Sequence, residues 1–383
     1  MIANKWSGLT ALFLASRLLA GGFVVAPYLQ HAQKNSIVIM WETAQQATSK
    51  VEYGREFPLT EKIELEGLRT MHEVKLTGLD EQCNYFYRVV SRPERGEAVT
   101  SDVYSFQTAV SDRSAFAFAV VGDTQTNPQI WGRISQLIWG ERPNFVLHAG
   151  DIVGTGANKE HWTGHFFAPS HGLMSRIPLF TVLGNHEGDD AHYYQYMSNP
   201  EPEYYYSFSY GNARFFMIDT NHDIRPGSEQ HSRFERDLAQ SNARWKFVVH
   251  HHPPYTSDEN DYGDTYKEPS DLGDRNLQHL IPLYEKYDVD MVFYGHIHDY
   301  ERTWPIHSNR IDQDNGIIYV QTGGGGGSLE DYAPARSWFT AKLHRDHHFC
   351  LVALHEGTLQ FHAIDQKGKL FDHLLLTKDE PEM

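Results

Sequence analysis

Five short polar clusters stand out by residue type: Gly122-Asp123-Thr124-Gln125, Gly150-Asp151, Gly184-Asn185-His186-Glu187, His250-His251-His252-Pro253-Pro254 and Gly295-His296-Ile297-His298. Their side chains are carboxylate, amide and imidazole. Such a mixed oxygen and nitrogen set suits Mn, Fe or Zn better than soft copper or an all-oxygen calcium site. Glycine beside a ligand lets the backbone turn sharply without a side chain blocking the ion. A lone strand-end Asp or a lone His is usually structural. Five such clusters in succession, in a chain with 23 histidines, argue for one shared metal centre.

Each cluster follows an apolar run that reads as a buried strand: residues 115–121, 145–147, 179–183, 247–249 and 291–294. A further run of the same type covers 215–218, and helical spacing appears over 130–139 and 277–287. Strands alternating with helices predict a layered α/β domain over residues 114–383, with its last segment, 349–364, returning to alternating strands. In such sheets ligand sites gather beyond the carboxyl ends of the strands, so the five clusters should converge. Residues 24–110 read differently. Short alternating strands at 37–41, 49–54, 72–76, 84–90 and 103–106 predict a small antiparallel sandwich, with Trp41 in its core and no catalytic cluster. This part is expected to be a structural or interaction module.

Composition narrows the function classes. The chain has 383 residues, enough for two or three domains, and a formal charge of −17 from 33 Lys+Arg against 50 Asp+Glu. That balance argues against a nucleic-acid or anionic-membrane surface, which needs clustered cations. Cys83 and Cys350 lie far apart with no CxxC pattern, which excludes a disulfide scaffold, a thiolate zinc site and an iron–sulfur cluster. Residues 1–23 carry Lys5 ahead of an apolar stretch interrupted by Arg17. A leader or signal peptide is the favoured expectation, hence a secreted or periplasmic protein; a membrane anchor and a non-targeting, cytoplasmic start are the alternatives.

In their order and wording the clusters resemble the calcineurin-like metallophosphoesterase superfamily, and within it the purple acid phosphatase-like branch. The block Gly295-His296-Ile297-His298-Asp299-Tyr300-Glu301-Arg302 is similar to that branch's GHxHxYER signature, and Tyr206-Ser207-Phe208-Ser209-Tyr210-Gly211-Asn212 and Gly227-Ser228-Glu229-Gln230 resemble its intervening segments. Residues 24–110 resemble its fibronectin-III-like N-terminal domain. The resemblance implies a layered β-sandwich flanked by helices and two metal ions (Fe, Mn or Zn) bridged by Asp151. Asp123 and His298 would hold the first ion, and Asn185, His251 and His296 the second. His186 would be the general acid, with Glu187 behind it orienting a histidine. His252 could face the substrate, with His250 and His252 directed to the other face of the extended segment.

The implied reaction is hydrolysis of phosphoric esters, phosphomonoesters first, on a small phosphorylated substrate. Two ions about 3.5–4 Å apart can hold a hydroxide, bind phosphoryl oxygens and stabilise an in-line displacement, while a nearby acid protonates the leaving alkoxide. Two departures bear on this. The branch's metal-ligating tyrosine falls on Gly154, so ferric iron and purple colour do not carry over. Its usual His or Gly two residues after the first Asp is Gln125, which could ligate directly or hydrogen-bond a metal-bound water. Paired histidines after the proline motif are missing from residues 255–266, which leaves open a phosphodiesterase or nucleotide-directed hydrolase, while Gln125 and Gly154 leave open a metal-containing binding module with weak catalysis. Residues 323–327, five consecutive glycines, lack a following GK(S/T) and are expected to form a flexible loop beside the site. No HExxH or GxSxG motif supports another hydrolase class.

Overall fold

The computed structural model describes residues 22–260, 262 and 270–379. The expected leader therefore lies outside the described residues, apart from Gly22 and Phe23. Among the described residues no helix is long and apolar enough to cross a membrane.

The first five long strands, Phe23–Gln30, Ser36–Gly54, Glu61–Thr77, Asn84–Ser91 and Tyr104–Gln107, are antiparallel. Ser36–Gly54 is the organiser. Its first half pairs with Phe23–Gln30 and its second half with Asn84–Ser91, and irregularities between Glu42 and Ser49 bend it between these partners. Alternating apolar residues from these strands, among them Leu29, Ile37, Ile39, Val51, Val74, Leu76, Tyr87 and Val89, close on Trp41. Trp41 is wholly buried, stacks flat on His72 at 4.7 Å and donates from Nε1 to Ser91 Oγ at 2.9 Å.

Beyond the link, two sheets pack face to face. In the first, Phe116–Val121, Phe145–His148 and Leu179–Thr181 run parallel, and His348–His355, Thr358–Asp365 and Leu370–Thr377 extend it antiparallel. In the second, Ala213–Met217, Trp245–Val249, Met291–Tyr294 and Ile318–Thr322 run parallel, flanked by Tyr206–Tyr210, Tyr300–Thr303 and Thr340–His344. Phenylalanines 118, 145, 180, 208, 215, 247 and 293 fill the space between the sheets. Helix Pro128–Glu141 and the segment His161–Met174 cover the outer face of the first sheet; Glu229–Ala239 and Ile281–Lys286 cover that of the second. The architecture is the expected β-sandwich flanked by helices and preceded by a small all-β domain.

The helix expected over 277–287 is a 3-10 turn, Arg275–His279, followed by Ile281–Lys286. Pro282 has no N–H to give to a preceding turn, so it starts a helix instead of continuing one. The N-terminal sandwich is tied to the rest by Tyr28 Oη to Tyr196 O and Tyr87 Oη to Ser175 O, both 2.8 Å, and by Tyr196 Oη to Glu42 Oε2 at 2.8 Å.

Candidate metal centre

The five clusters leave five parallel strands at their carboxyl ends, with Asp123, Asp151, Asn185, His251 and His296 two to four residues past Val121, His148, Thr181, Val249 and Tyr294. The turns are sharp. Asp123, Asp151 and His296 have φ of 59°, 53° and 76°, a left-handed conformation that costs a residue with a Cβ roughly 1–3 kcal/mol and gathers at functional sites. The turns also fit closely: Asp123 N–H donates to Gly150 O at 3.0 Å, and His296 N–H to both oxygens of Asp123 at 3.0 Å.

Asp151, Asn185, His251 and His296 meet at one point. Asn185 Oδ1 lies 3.0 Å from His251 Nε2 and 3.0 Å from His296 Nδ1; the two ring nitrogens are 3.3 Å apart, and Asp151 Oδ2 is 3.3 Å from His251 Nε2. His251 Nδ1 faces Ala149 O at 2.9 Å. With the proton there, the inward Nε2 is a lone pair turned toward an amide oxygen and a carboxylate. Acceptors crowded on acceptors repel unless a cation lies among them, so this donor set fits a metal ion. Asp123, Gln125 and His298 repeat the pattern beside it. His298 Nδ1 faces Ser328 O at 2.8 Å, and its Nε2 lies 3.6 Å from Asp123 Oδ1 and 3.1 Å from the Gln125 amide. Turned so that its nitrogen donates to the carbonyls of Asp123 and Asp151 at 3.2 and 2.8 Å, that amide presents its oxygen to the same place.

The electrostatics agree. Burial opposes a charge on His251, yet Asp151 and Asp123 push it up to about 10: the buried carboxylates demand a cation. Burial, and then His251, hold His296 down to about 2, so a second proton is refused. Burial pushes Asp123 well above the usual carboxylate range.

His186 is half-exposed at the rim. Its N–H donates to Asp151 Oδ1 at 2.9 Å, its Nδ1 faces Gly154 O at 2.9 Å, and its Nε2 is 3.8 Å from Asp151 Oδ2. Gly154, without the side chain that the resemblance would place there, orients His186 through its carbonyl. Glu187 does not orient a histidine. It is wholly buried and accepts from the N–H groups of Gly184, Asp151 and Val153 at 2.7, 2.9 and 3.2 Å, so it holds the two ligand-bearing turns against each other. Burial, and then the Asp151 charge, push it up to about 8.

The expectation for the triple histidine holds for one neighbour only. His250 points away, between the rings of Tyr284 and Tyr294. His252 lies on the site side, its ring 4.8 Å from that of His296 and its Nδ1 2.8 Å from Thr220 Oγ1. The strand ends at Val249, so two-residue alternation no longer governs where His252 points. The five glycines are not a loose loop either. They are buried, Gly327 N–H donates to Asp123 O at 2.9 Å, and a Cβ on Gly327 would fall 2.6 Å from the His298 ring.

Sequence reasoning missed a sixth strand-end cluster, Asp219-Thr220-Asn221-His222, beyond Ala213–Met217. Asn221 Nδ2 donates to Gly184 O at 3.3 Å, and His222 Nε2 lies 3.4 Å from Asp219 Oδ2 while its ring stacks on Tyr204 at 4.7 Å. Its position after the apolar run 215–218 was the available signal; the lack of a glycine hid it.

Comparison with known proteins agrees with this geometry. The calcineurin-like phosphoesterase family matches residues 116–300, and the purple acid phosphatase N-terminal domain matches residues 25–108. An Arabidopsis thaliana protein named "Probable inactive purple acid phosphatase 27" is 27% identical over 79% of this chain and 55% of its own length. A nucleotide pyrophosphatase/phosphodiesterase of Hordeum vulgare is 27% identical over 62% of this chain and 72% of its own. The chain spans about half the length of the first curated relatives it matches. In fold it is similar to a purple acid phosphatase from yellow lupin (Lupinus luteus) seeds, with a TM-score of 0.80, 22% identity, and coverage of 93% of this chain and 75% of the other. With both domains matched in order, the chain combines a calcineurin-like phosphoesterase domain with a purple acid phosphatase N-terminal domain.

Proposed function

We propose that the protein is a metal-dependent hydrolase of phosphoric esters, acting first on small phosphomonoesters. The observation that carries this reading is the set of inward acceptors, Asp151 Oδ2, Asn185 Oδ1, His251 Nε2 and His296 Nδ1, within 3.0–3.3 Å of one another in the pairs above. Asp123 and His298, with Gln125 as a neutral neighbour, would hold one ion; Asn185, His251 and His296 the other; Asp151 would serve both. Bound there, the pair would supply Lewis acidity and an activated water. Of the protein's own groups, His186 is placed to deliver a proton to the leaving oxygen. Its Nδ1 proton is engaged by Gly154 O, which leaves Nε2 to carry the transferable one. His252 forms the wall beside His296. The fibronectin-III-like part, residues 24–110, would serve the catalytic part, residues 114–383, as a packing partner, and a leader in residues 1–23 would send the protein to a secreted or periplasmic location.

Two alternatives rest on specific observations. The barley relative's name favours a phosphodiesterase or nucleotide-directed reaction, and the "inactive" name of the Arabidopsis relative, with Gly154, favours a metal-containing binding module. Hydrolysis of 4-nitrophenyl phosphate and bis(4-nitrophenyl) phosphate by metal-loaded protein, with Asp151→Ala as control, decides among the three. Faster monoester cleavage that vanishes with both metals in Asp151→Ala supports the proposal. Faster diester cleavage selects the first alternative, and full metal content without turnover selects the second.

A further inference from the structure

A second cluster of metal-type donors lies apart from this centre, where two turns of the catalytic sandwich meet. A ring nitrogen of His344 and one carboxylate oxygen each of Asp346 and Asp365 all lie within 4.8 Å of one another. His344 ends the strand Thr340–His344, Asp346 sits in the turn before His348–His355, and Asp365 ends Thr358–Asp365. Pairing of His348 with Asp365 brings the turns together.

The protein's own groups leave this cluster incompletely satisfied. His344 Nε2 is shut off from solvent with no hydrogen-bond partner among the described residues, and the ring is stacked against Phe371 at 3.9 Å. Asp365 is 4% exposed; its Oδ1 accepts from the N–H groups of Lys367 and Lys369 at 2.8 and 2.9 Å, and its Oδ2 is left for a further partner. Asp346 Oδ1 accepts from His347 N–H at 2.8 Å and Gln366 Nε2 at 2.6 Å. Among the described residues its Oδ2 faces only Lys367 Nζ at 3.9 Å, on a side chain 75% exposed, and such a pair is weak in water.

We propose that His344, Asp346 and Asp365 form a separate binding site for a divalent first-row cation, of which zinc is the natural probe. One imidazole nitrogen and two carboxylate oxygens, with water completing the shell, suit zinc or manganese. The cation has a structural use here. The turn that carries Asp346 also carries His347 and His348, whose Nδ1 and N–H reach Gly324 O at 3.2 and 3.1 Å. Gly324 belongs to the glycine loop that holds Asp123 through the Gly327 N–H. A cation joining His344, Asp346 and Asp365 braces that loop from behind.

Equilibrium dialysis of the full chain against zinc, with metal counted per chain, tests this without reference to hydrolysis, so its outcome is independent of the proposed activity. His344→Gln and Asp346→Asn should each bind one zinc fewer than the parent, and zinc should raise the parent's Tm more than theirs. Asp346→Asn keeps the side chain's size and its two accepted hydrogen bonds, so it reads the site if His344→Gln folds poorly. Equal zinc numbers in the parent and the folded variants overturn the proposal.

Discussion

A histidine engaged through Nδ1 presents Nε2, and three histidines of this centre are set in that way by backbone carbonyls: His251 by Ala149, His298 by Ser328 and His186 by Gly154. The first two turn Nε2 into a crowd of acceptors, as their proposed ligand role requires. His186, at the rim and further from Asp151, is the proposed proton donor. His186→Ala should therefore keep its metal content yet lose turnover by about 10²–10⁴-fold on an alkyl phosphate, and far less on 4-nitrophenyl phosphate, whose leaving group needs little protonation. Equal losses across leaving groups of widely different pKa would make His186 a positioning residue. The wording of the motif suggested this role. The change of Glu187 from histidine-orienting acid to a clamp on three backbone N–H groups came from the closeness of the 151 and 184 turns, which no motif spells out.

Among the elements, the strand ends matter more than the strands. Parallel pairing sets Phe116–Val121, Phe145–His148 and Leu179–Thr181 side by side in one sheet and Ala213–Met217, Trp245–Val249 and Met291–Tyr294 in the other, so all their exits open at one edge. The exits touch almost backbone to backbone. A Cβ on Gly184 would overlap the backbone N and Oδ1 of Asp151. Gly184→Ala should thus displace the shared carboxylate, lower metal affinity more than tenfold and cost about 1–3 kcal/mol of stability. Gly140→Ala, in helix Pro128–Glu141 with nothing within 4 Å of its added Cβ, is the control and should be neutral or stabilise by up to about 1 kcal/mol. Metal titration and urea unfolding of both variants read these outcomes. Normal metal affinity in Gly184→Ala would show that the exits can separate without cost.

At the scale of the whole molecule, buried neutral histidines make stability depend on pH. His72 lies under Trp41, bonded to Thr43 Oγ1 and Ser49 Oγ at 2.9 and 2.8 Å, and burial holds it down to about 4. Burial likewise holds His148 at about 3 and His348 at about 4. Unfolded, each regains a pKa near 6.5. Below that pH the unfolded chain binds protons that the folded chain refuses, so these groups lower stability as pH falls from about 6.5 toward 4 and leave it flat above. Each contributes about 1.4 kcal/mol per pH unit in that window. Urea midpoints measured from pH 7.5 to 5 should fall, and His72→Gln should flatten the slope by up to one proton. An unchanged slope would place the acid sensitivity elsewhere.

Much of the fold was legible because its signals are local. Apolar runs that end in Gly-Asp, Gly-Asn-His or Gly-His-x-His announce both a buried strand and a polar exit, and the change to short alternating strands before residue 110 announces a second, all-β part. The tertiary structure alone decided what depends on contacts between distant segments. His251 is oriented by Ala149, 102 residues away, His252 turns into the site because its strand has ended, and the five glycines are buried because Ile297, His348, Gly122, Thr124 and His298 leave room for nothing larger. Asp219-Thr220-Asn221-His222 and the trio His344, Asp346 and Asp365 carry no motif. The trio comes together through the pairing of His348 with Asp365, and a one-dimensional pattern holds the period of each strand but not the identity of its neighbour.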